Sequence, residues 1–237
     1  MSAHEAPDQD ALFTRHQGRL WFCGLEVQRH KLEIAGHSFN IDSLRDASEL
    51  LDQPDFAEHF FETDLAPYGL ELWPAAIMLA EHILLGESGN DRTALELGCG
   101  LGLVSIAAAS HAWQVTATDN DENALKFARH NAALNSASAS SFSPMDWHTP
   151  ERDHKYERVY AADVLYELKS HEPVLRCVDA VLADSGSALI ADPGRSTANH
   201  FDKMAEGAGF SVHVHSSSAP GPASESIVGR IFQLHRC

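Results

Sequence analysis

The feature that most constrains this chain is the run Glu96-Leu97-Gly98-Cys99-Gly100-Leu101-Gly102. It stands between a short apolar segment, Ala94–Leu97, and a small-residue helical stretch, Leu103–Ser110. Closely spaced glycines let a backbone turn tightly and pass near a ligand that any Cβ would obstruct. About twenty residues further on, Gln114–Thr118 reads as a second strand and closes on Asp119, with Asn120 beside it. A carboxylate at that strand end is placed to accept both hydroxyls of a ribose. A dinucleotide fingerprint of the form G-x-G-x-x-G would place glycine at 103. This chain has Leu103 there and glycine at 102, which disfavours a nicotinamide-dependent oxidoreductase.

The surrounding pattern extends the unit into a fold. Glu122–Leu134 reads as an amphipathic helix, Ala139–Ser143 as a third strand, Arg158–Ala162 as a fourth and Ala188–Ala191 as a fifth. Helices are expected over Ala75–Leu85, Glu172–Leu182 and Ala198–Ala208. Strands alternating with such helices imply βαβ crossovers, hence an α/β, Rossmann-like, doubly wound seven-stranded sheet that is mostly parallel. Ser211–His215 and Ile227–Leu234 have only a Ser/Pro/Gly loop between them (Ser216–Pro222), which predicts an antiparallel C-terminal hairpin at one edge. Ahead of this domain, assigned to 66–237, residues 1–65 predict a loose tail through residue 18 and a small β-hairpin turning at Gly24 and Gly36. A short helix capped by Ser43 follows.

Composition narrows the partners. The formal net charge of -17 repels phosphate backbones and favours a cationic partner, so nucleic acid is not expected as a substrate. Cys23, Cys99, Cys177 and Cys237 form no C-x-x-C pair, so neither a disulfide framework nor a zinc knuckle is expected. Fifteen histidines are dispersed, and His213 with His215 fit one face of a strand rather than a metal site. No run approaches the ~20 apolar residues of a membrane span, and the first residues lack an apolar signal region. The expected compartment is the cytoplasm.

A G-x-G-x-G loop preceded by an acidic residue resembles that of Rossmann-like methyltransferases, whose cofactor is S-adenosyl-L-methionine. A carboxylate ending a buried strand is costly unless paired, and contact between Glu96 and the cationic amino acid moiety of that cofactor supplies a pairing. Asp146-Trp147, after the third strand, offers an acceptor for the adenine amino group and a ring to shield it. Taken with Trp73-Pro74-Ala75-Ala76 and Ala162-Asp163-Val164-Leu165-Tyr166-Glu167, these residues resemble the seven-β-strand lysine methyltransferases often called methyltransferase family 16. Bacterial members have also been labelled nicotinamide N-methyltransferase-like. The resemblance covers roughly residues 65–195. Ala191–Arg195 is similar to a segment of the branch that methylates the β subunit of electron transfer flavoprotein.

The resemblance implies residue roles. Trp73, Glu96, Gly98, Gly100, Gly102, Asp119, Asn120, Asp146, Trp147 and Ala162 would form the cofactor site. Asp163 and Tyr166, matching a D-x-x-Y signature, would border the acceptor nitrogen. Methyl transfer from a sulfonium chiefly needs alignment and exclusion of water. A lysine acceptor must also arrive neutral, against a reference pKa of ~10.4. Asp163 or Tyr166 would orient the amine, and Glu167 would attract the incoming cation or simply favour a helix N-terminus. Arg195 would meet either an acidic patch on a target or a local acid. The expected activity is therefore lysine N-methylation of a protein. The alternatives are N-methylation of a small amine or heterocycle, and a catalytically inactive cofactor-binding module.

Overall fold

The computed structural model describes residues 13–53, 67–137, 140–150, 153–221 and 225–237. At its centre is a seven-stranded sheet, whose strands in spatial order are Phe210–Pro220 (β10), Ser226–Arg236 (β11), Leu182–Asp192 (β9), Tyr156–Ala162 (β8), Thr93–Leu97 (β5), Gln114–Asp119 (β6) and Ser140–Pro144 (β7). Its parallel strands are β5, β6, β8 and β9, with β7 at the edge beside β6 and parallel to it. Among the described residues, the helices α1 (Pro74–Leu85), α2 (Leu103–Ser110), α3 (Glu122–Leu134), α4 (Leu168–Val181) and α5 (Phe201–Gly207) connect and cover them. From β5 the chain winds outward to β6 and β7, then returns to lay β8 against the other side of β5. That reversal of direction opens a crevice at the carboxyl ends of β5 and β8, where open α/β sheets bind ligands.

The edge beyond β9 departs from the sequence expectation. β10 (Phe210–Pro220) and β11 (Ser226–Arg236) form the expected antiparallel hairpin, and β11 lies between β9 and β10, antiparallel to both. The serines read as a loop belong to β10, since Ser216, Ser217 and Ser218 pair with Arg230, Gly229 and Val228. Polar residues are tolerated on an edge strand when a neighbour supplies the ladder, so composition misleads there. Pro222 of that loop, and Ala139 of the third expected strand, lie outside the described residues.

The N-terminal part is more regular than expected. β1 (Phe13–His16), β2 (Arg19–Phe22), β3 (Leu25–Ile34) and β4 (His37–Leu44) form a four-stranded antiparallel meander, so strand structure begins inside the segment read as a tail. The β3–β4 turn at Ala35-Gly36 places both residues at positive φ (48° and 80°), the geometry that matches the twist of a tight hairpin. Ser43 does not cap a helix, because β4 runs through it. Asp46 caps instead, accepting the Ser48 N–H at 3.0 Å, and a 3-10 turn follows over Ala47–Asp52. Helix α4 also starts earlier than expected, at Leu168, with Pro173 inside it.

The meander and the main sheet share a core through α3. On one side of α3, Phe127 meets Phe22 and Phe13 at ring separations of 4.8 and 5.0 Å, and Phe13 stacks on His130 at 4.5 Å. Phe22 and Phe127 are fully buried, each contributing ~1.5–3 kcal/mol. On the other side Leu125 and Ala128 pack with Ala117 of β6. Among the described residues no helix is long and apolar enough to cross a membrane, and no group of three His, Cys, Asp or Glu is placed to hold a metal ion.

Candidate cofactor and acceptor site

The functional side chains gather along the carboxyl ends of β5, β6, β8 and β9. The loop from β5 into α2 is left-handed at Gly98, Gly100 and Gly102, with φ of 64°, 50° and 82°. Two of these glycines are demanded by contact as well as by φ. A Cβ on Gly100 would stand 3.0 Å from the Gly69 carbonyl oxygen, and one on Gly102 would stand 3.0 Å from the Ala128 Cβ. The loop is thus pressed between the 3-10 turn Pro67–Leu70 in front and helix α3 behind. At Gly98 a Cβ would lie 3.4 Å from both Trp147 and Val164, which places the Trp147 ring beside the loop.

Two buried carboxylates flank this loop. Asp119 ends β6, and its carboxylate accepts the Gly100 N–H at 2.9 Å and the Asp121 N–H at 3.0 Å. Burial pushes its pKa up to about 6, against these hydrogen bonds. Glu96, 1% exposed, accepts a bond from the Ser105 hydroxyl of α2, and burial pushes it up to about 8. Each therefore sits where a bound hydroxyl or cation would favour its ionised form. Asn120 next to Asp119 is exposed, and so is Asp146, whose carboxylate binds His148 through the backbone N–H and the ring at 2.8 Å.

Asp163 follows β8 in a left-handed conformation (φ 58°) and is buried. Both of its oxygens are taken by Arg195, with Nε–Oδ1 at 2.6 Å and Nη2–Oδ2 at 2.9 Å. Of the two partners open to Arg195 in the sequence, the local acid is the one observed. Asp192 accepts the backbone N–H groups of Gly194 and Arg195 at 3.0 Å and the Arg230 guanidinium at 3.1 Å, so Ala191–Arg195 forms a braced corner. The Arg195 guanidinium lies 5.5 Å from the Trp73 ring centroid, and Trp73 Nε1 donates to the Tyr68 carbonyl at 2.7 Å. Tyr68, 54% exposed, stands edge-on to Trp73 and to Tyr166 at 6.3 and 5.9 Å. Burial, with Glu167 and Asp119 nearby, raises the Tyr166 hydroxyl pKa. Glu167 pairs with Lys169 at 3.1 Å.

Tyr68, Gly69 and the Asp163–Arg195 pair are the parts of the site that sequence reasoning missed. The only available signal was their closeness in sequence to Trp73 and to the segment after β9. The observed site consists of a glycine cradle closely backed at Gly100 and Gly102, two buried carboxylates held by N–H and O–H donors, and a cluster of the aromatic side chains Tyr68, Trp73 and Tyr166.

The architecture is that of Rossmann-like S-adenosylmethionine-dependent methyltransferases. The structure resembles TrmN from Thermus thermophilus (TM-score 0.54, 24% identity, covering 68% of this chain and 49% of that one). It also resembles a TehB-like SAM-dependent methyltransferase from Corynebacterium glutamicum (TM-score 0.53, 17% identity, covering 78% of this chain and all of that one). Within that class, residues 57–206 match the lysine methyltransferase family model, and the chain belongs to that family. Methyltransferase-like protein 22 of Homo sapiens is 32% identical over 136 residues, covering 54% of this chain and 34% of the relative. The protein-lysine N-methyltransferase rrg1 of Schizosaccharomyces pombe is 32% identical over 161 residues, covering 60% and 53%. The matched region thus spans about half, or less, of the length of these relatives.

Proposed function

We propose that this chain transfers a methyl group from S-adenosyl-L-methionine to the side-chain nitrogen of a lysine in a protein. The observation that carries the proposal is the meeting of two features at the carboxyl ends of β5 and β8: the Glu96–Gly102 loop with Asp119, and the aromatic cluster of Tyr68, Trp73 and Tyr166. Asp119 would hold the ribose hydroxyls, with Asn120 beside it. Gly98, Gly100 and Gly102 would admit the amino acid portion to the loop, over the buried Glu96. Trp147 and Asp146 would flank the adenine, and Ala162 would border the reacting end. When bound, the cofactor supplies a methyl already activated by its sulfonium.

The residues of the chain then align the acceptor and keep water out. The aromatic walls replace water around the incoming amine, and desolvation favours its neutral form over the ammonium of ~10.4 reference pKa. The ammonium gives its proton to water as it enters; the Tyr166 hydroxyl then accepts a hydrogen bond from the neutral amine, whose lone pair takes the methyl as the sulfonium leaves as a thioether. Asp163, with both oxygens engaged by Arg195, acts by bracing Arg195 against Trp73 rather than by receiving that proton. The net charge of -17 draws cationic segments of a protein towards this cluster.

The test is transfer of labelled methyl from S-adenosylmethionine into a cell lysate, with protein and small-molecule fractions separated and labelled protein hydrolysed to amino acids. Methyl-lysine in protein is the expected product. Label confined to small molecules would install the small-amine reading, and cofactor binding without any label would make the chain a binding module. The β subunit of electron transfer flavoprotein is the first purified protein to try, on the Ala191–Arg195 resemblance. Tyr166→Phe should keep cofactor affinity and slow transfer at least tenfold, a loss within the range for a positioned hydroxyl; unchanged turnover removes Tyr166 from the mechanism.

A further inference from the structure

We infer that Asn131 is a positioning residue for the cofactor loop, and that through it the occupancy of the cofactor site is coupled to the order of the N-terminal sheet. The inference rests on the reading of the crevice as an S-adenosylmethionine site. Asn131 lies on α3 and is fully buried. Its Oδ1 accepts the Asp42 N–H at 2.8 Å, and its Nδ2 donates to the Asp42 carbonyl at 3.0 Å. The side-chain amide thus gives β4 the donor and acceptor that a neighbouring strand would give. The same Nδ2 also donates to the Leu101 carbonyl at 2.9 Å, between Gly100 and Gly102 in the cofactor loop.

One helical turn further on, Asn135 repeats the clamp on β4. Its Oδ1 accepts the Asn40 N–H at 2.8 Å and its Nδ2 donates to the Asn40 carbonyl at 2.7 Å. The second Nδ2 bond of Asn135 goes to the Asn131 carbonyl, not to the loop. The two asparagines therefore hold β4 in the same way, and Asn131 alone of the pair also holds Leu101. Asp42 is further fixed by its carboxylate, which takes Arg29 at 2.7 and 2.9 Å and His130 at 2.8 Å. The loop cannot retreat towards α3 at Gly102, where Ala128 stands. Asn131 thus links a backed loop to an anchored strand through the two hydrogens of one amide.

Coupling of this kind is reciprocal: a ligand that fixes the loop must also steady β4 at Asp42, and loosening that contact must weaken the ligand. Hydrogen exchange on the full chain, with and without S-adenosylhomocysteine, reads it directly. In the wild type the ligand should slow exchange in the 98–102 loop and also at β4. Asn131→Ala should weaken S-adenosylhomocysteine about three- to tenfold, the size of one lost hydrogen bond, and abolish ligand protection at β4. Asn135→Ala should loosen β4 only around Asn40, leave ligand protection at Asp42 in place and keep the dissociation constant within about twofold, since Asn135 makes no loop contact. Protection of the loop without protection of β4 in the wild type overturns the inference, as do equal affinity losses in the two variants. Failure of wild-type protein to bind S-adenosylhomocysteine sinks the cofactor reading and the coupling together, whereas normal binding without coupling sinks only the latter. If Asn131→Ala does not fold, the wild-type exchange experiment decides alone.

Discussion

Asp119→Ala separates what a carboxylate does for a ligand from what it does for the fold. In the free protein, burial raises Asp119 from its ordinary 3.8 to about 6. A carboxylate raised in this way contributes stability that is fully present below about pH 4 and lost as pH rises through about 6. At ~1.4 kcal/mol per unit, burying the ionised form costs ~3 kcal/mol above that window. Alanine removes this cost but also deprives the Gly100 and Asp121 N–H groups of their acceptor, at ~1–3 kcal/mol each. These terms are similar in size and opposite in sign, so the melting temperature of the free protein should move by only a few degrees. For the ligand nothing offsets the loss. Two hydroxyl bonds to an ionised acceptor, at ~1.5–3 kcal/mol each, correspond to a roughly 10²- to 10⁴-fold weaker dissociation constant. Calorimetric titration with S-adenosylhomocysteine at pH 7.5, paired with melting curves with and without ligand, measures both arms. In the wild type, affinity should also fall about tenfold for each pH unit below 6, as the free carboxylate takes up a proton. An alanine variant that binds within tenfold of wild type, or keeps its ligand-induced melting shift, refutes the ribose assignment.

Other perturbations probe the frame around the site. Gly102→Ala forces a Cβ onto a residue at φ 82° and against Ala128 at 3.0 Å. It should cost ~2–4 kcal/mol in denaturant unfolding, and a loss below ~1 would show that the loop relaxes without strain. Arg195→Ala leaves the buried Asp163 without its cation and should cost ~3–5 kcal/mol. The double variant Arg195→Ala with Asp163→Ala should recover a large part of that loss, and strict additivity would mean the pair is not coupled. Burial tends to raise Asp42, but the bonds from Arg29 and His130 prevail and hold it down to about 2. Its contribution, ~2 kcal/mol, is present above about pH 4 and lost as pH falls towards 2, so Asp42→Asn should flatten the acid limb of the stability profile.

The crest of the sheet was legible because its signals are local. A glycine loop after an apolar strand and an acid at the next strand end announce themselves within about twenty-five residues of sequence. What escaped depends on partners far along the chain. Phe13 looks like part of a polar tail until Phe127 and His130 fold against it. Ser216–Ser218 look like a loop until β11 returns beside them. Arg195 carries no sign of its partner, and only the β8–β9 pairing brings Asp163, thirty-two residues earlier, within reach. Asn131 reads as one more polar residue on an amphipathic helix, and only its complete burial reveals that it belongs to the loop. The acceptor side is faint for the same reason, since Tyr68, Trp73 and Tyr166 form a wall only after β8 and the segment before α1 meet.

The placement of β11 between β9 and β10 has a consequence for how the chain is made. A ribosome extrudes β10 before β11, at ~5–20 residues per second. Yet β10 touches the sheet only through β11, and its eleven residues have no ladder until Ser226–Arg236 emerge. During that interval β9 also shows the nascent chain an open flank, and Asp192 lacks the Arg230 guanidinium that holds its corner. The braced corner Ala191–Arg195 is therefore assembled late in synthesis, after the glycine loop and Asp119 have already left the ribosome. A chain stalled before residue 226 would carry the glycine loop and Asp119 complete and lack part of the frame that braces Arg195 and Trp73.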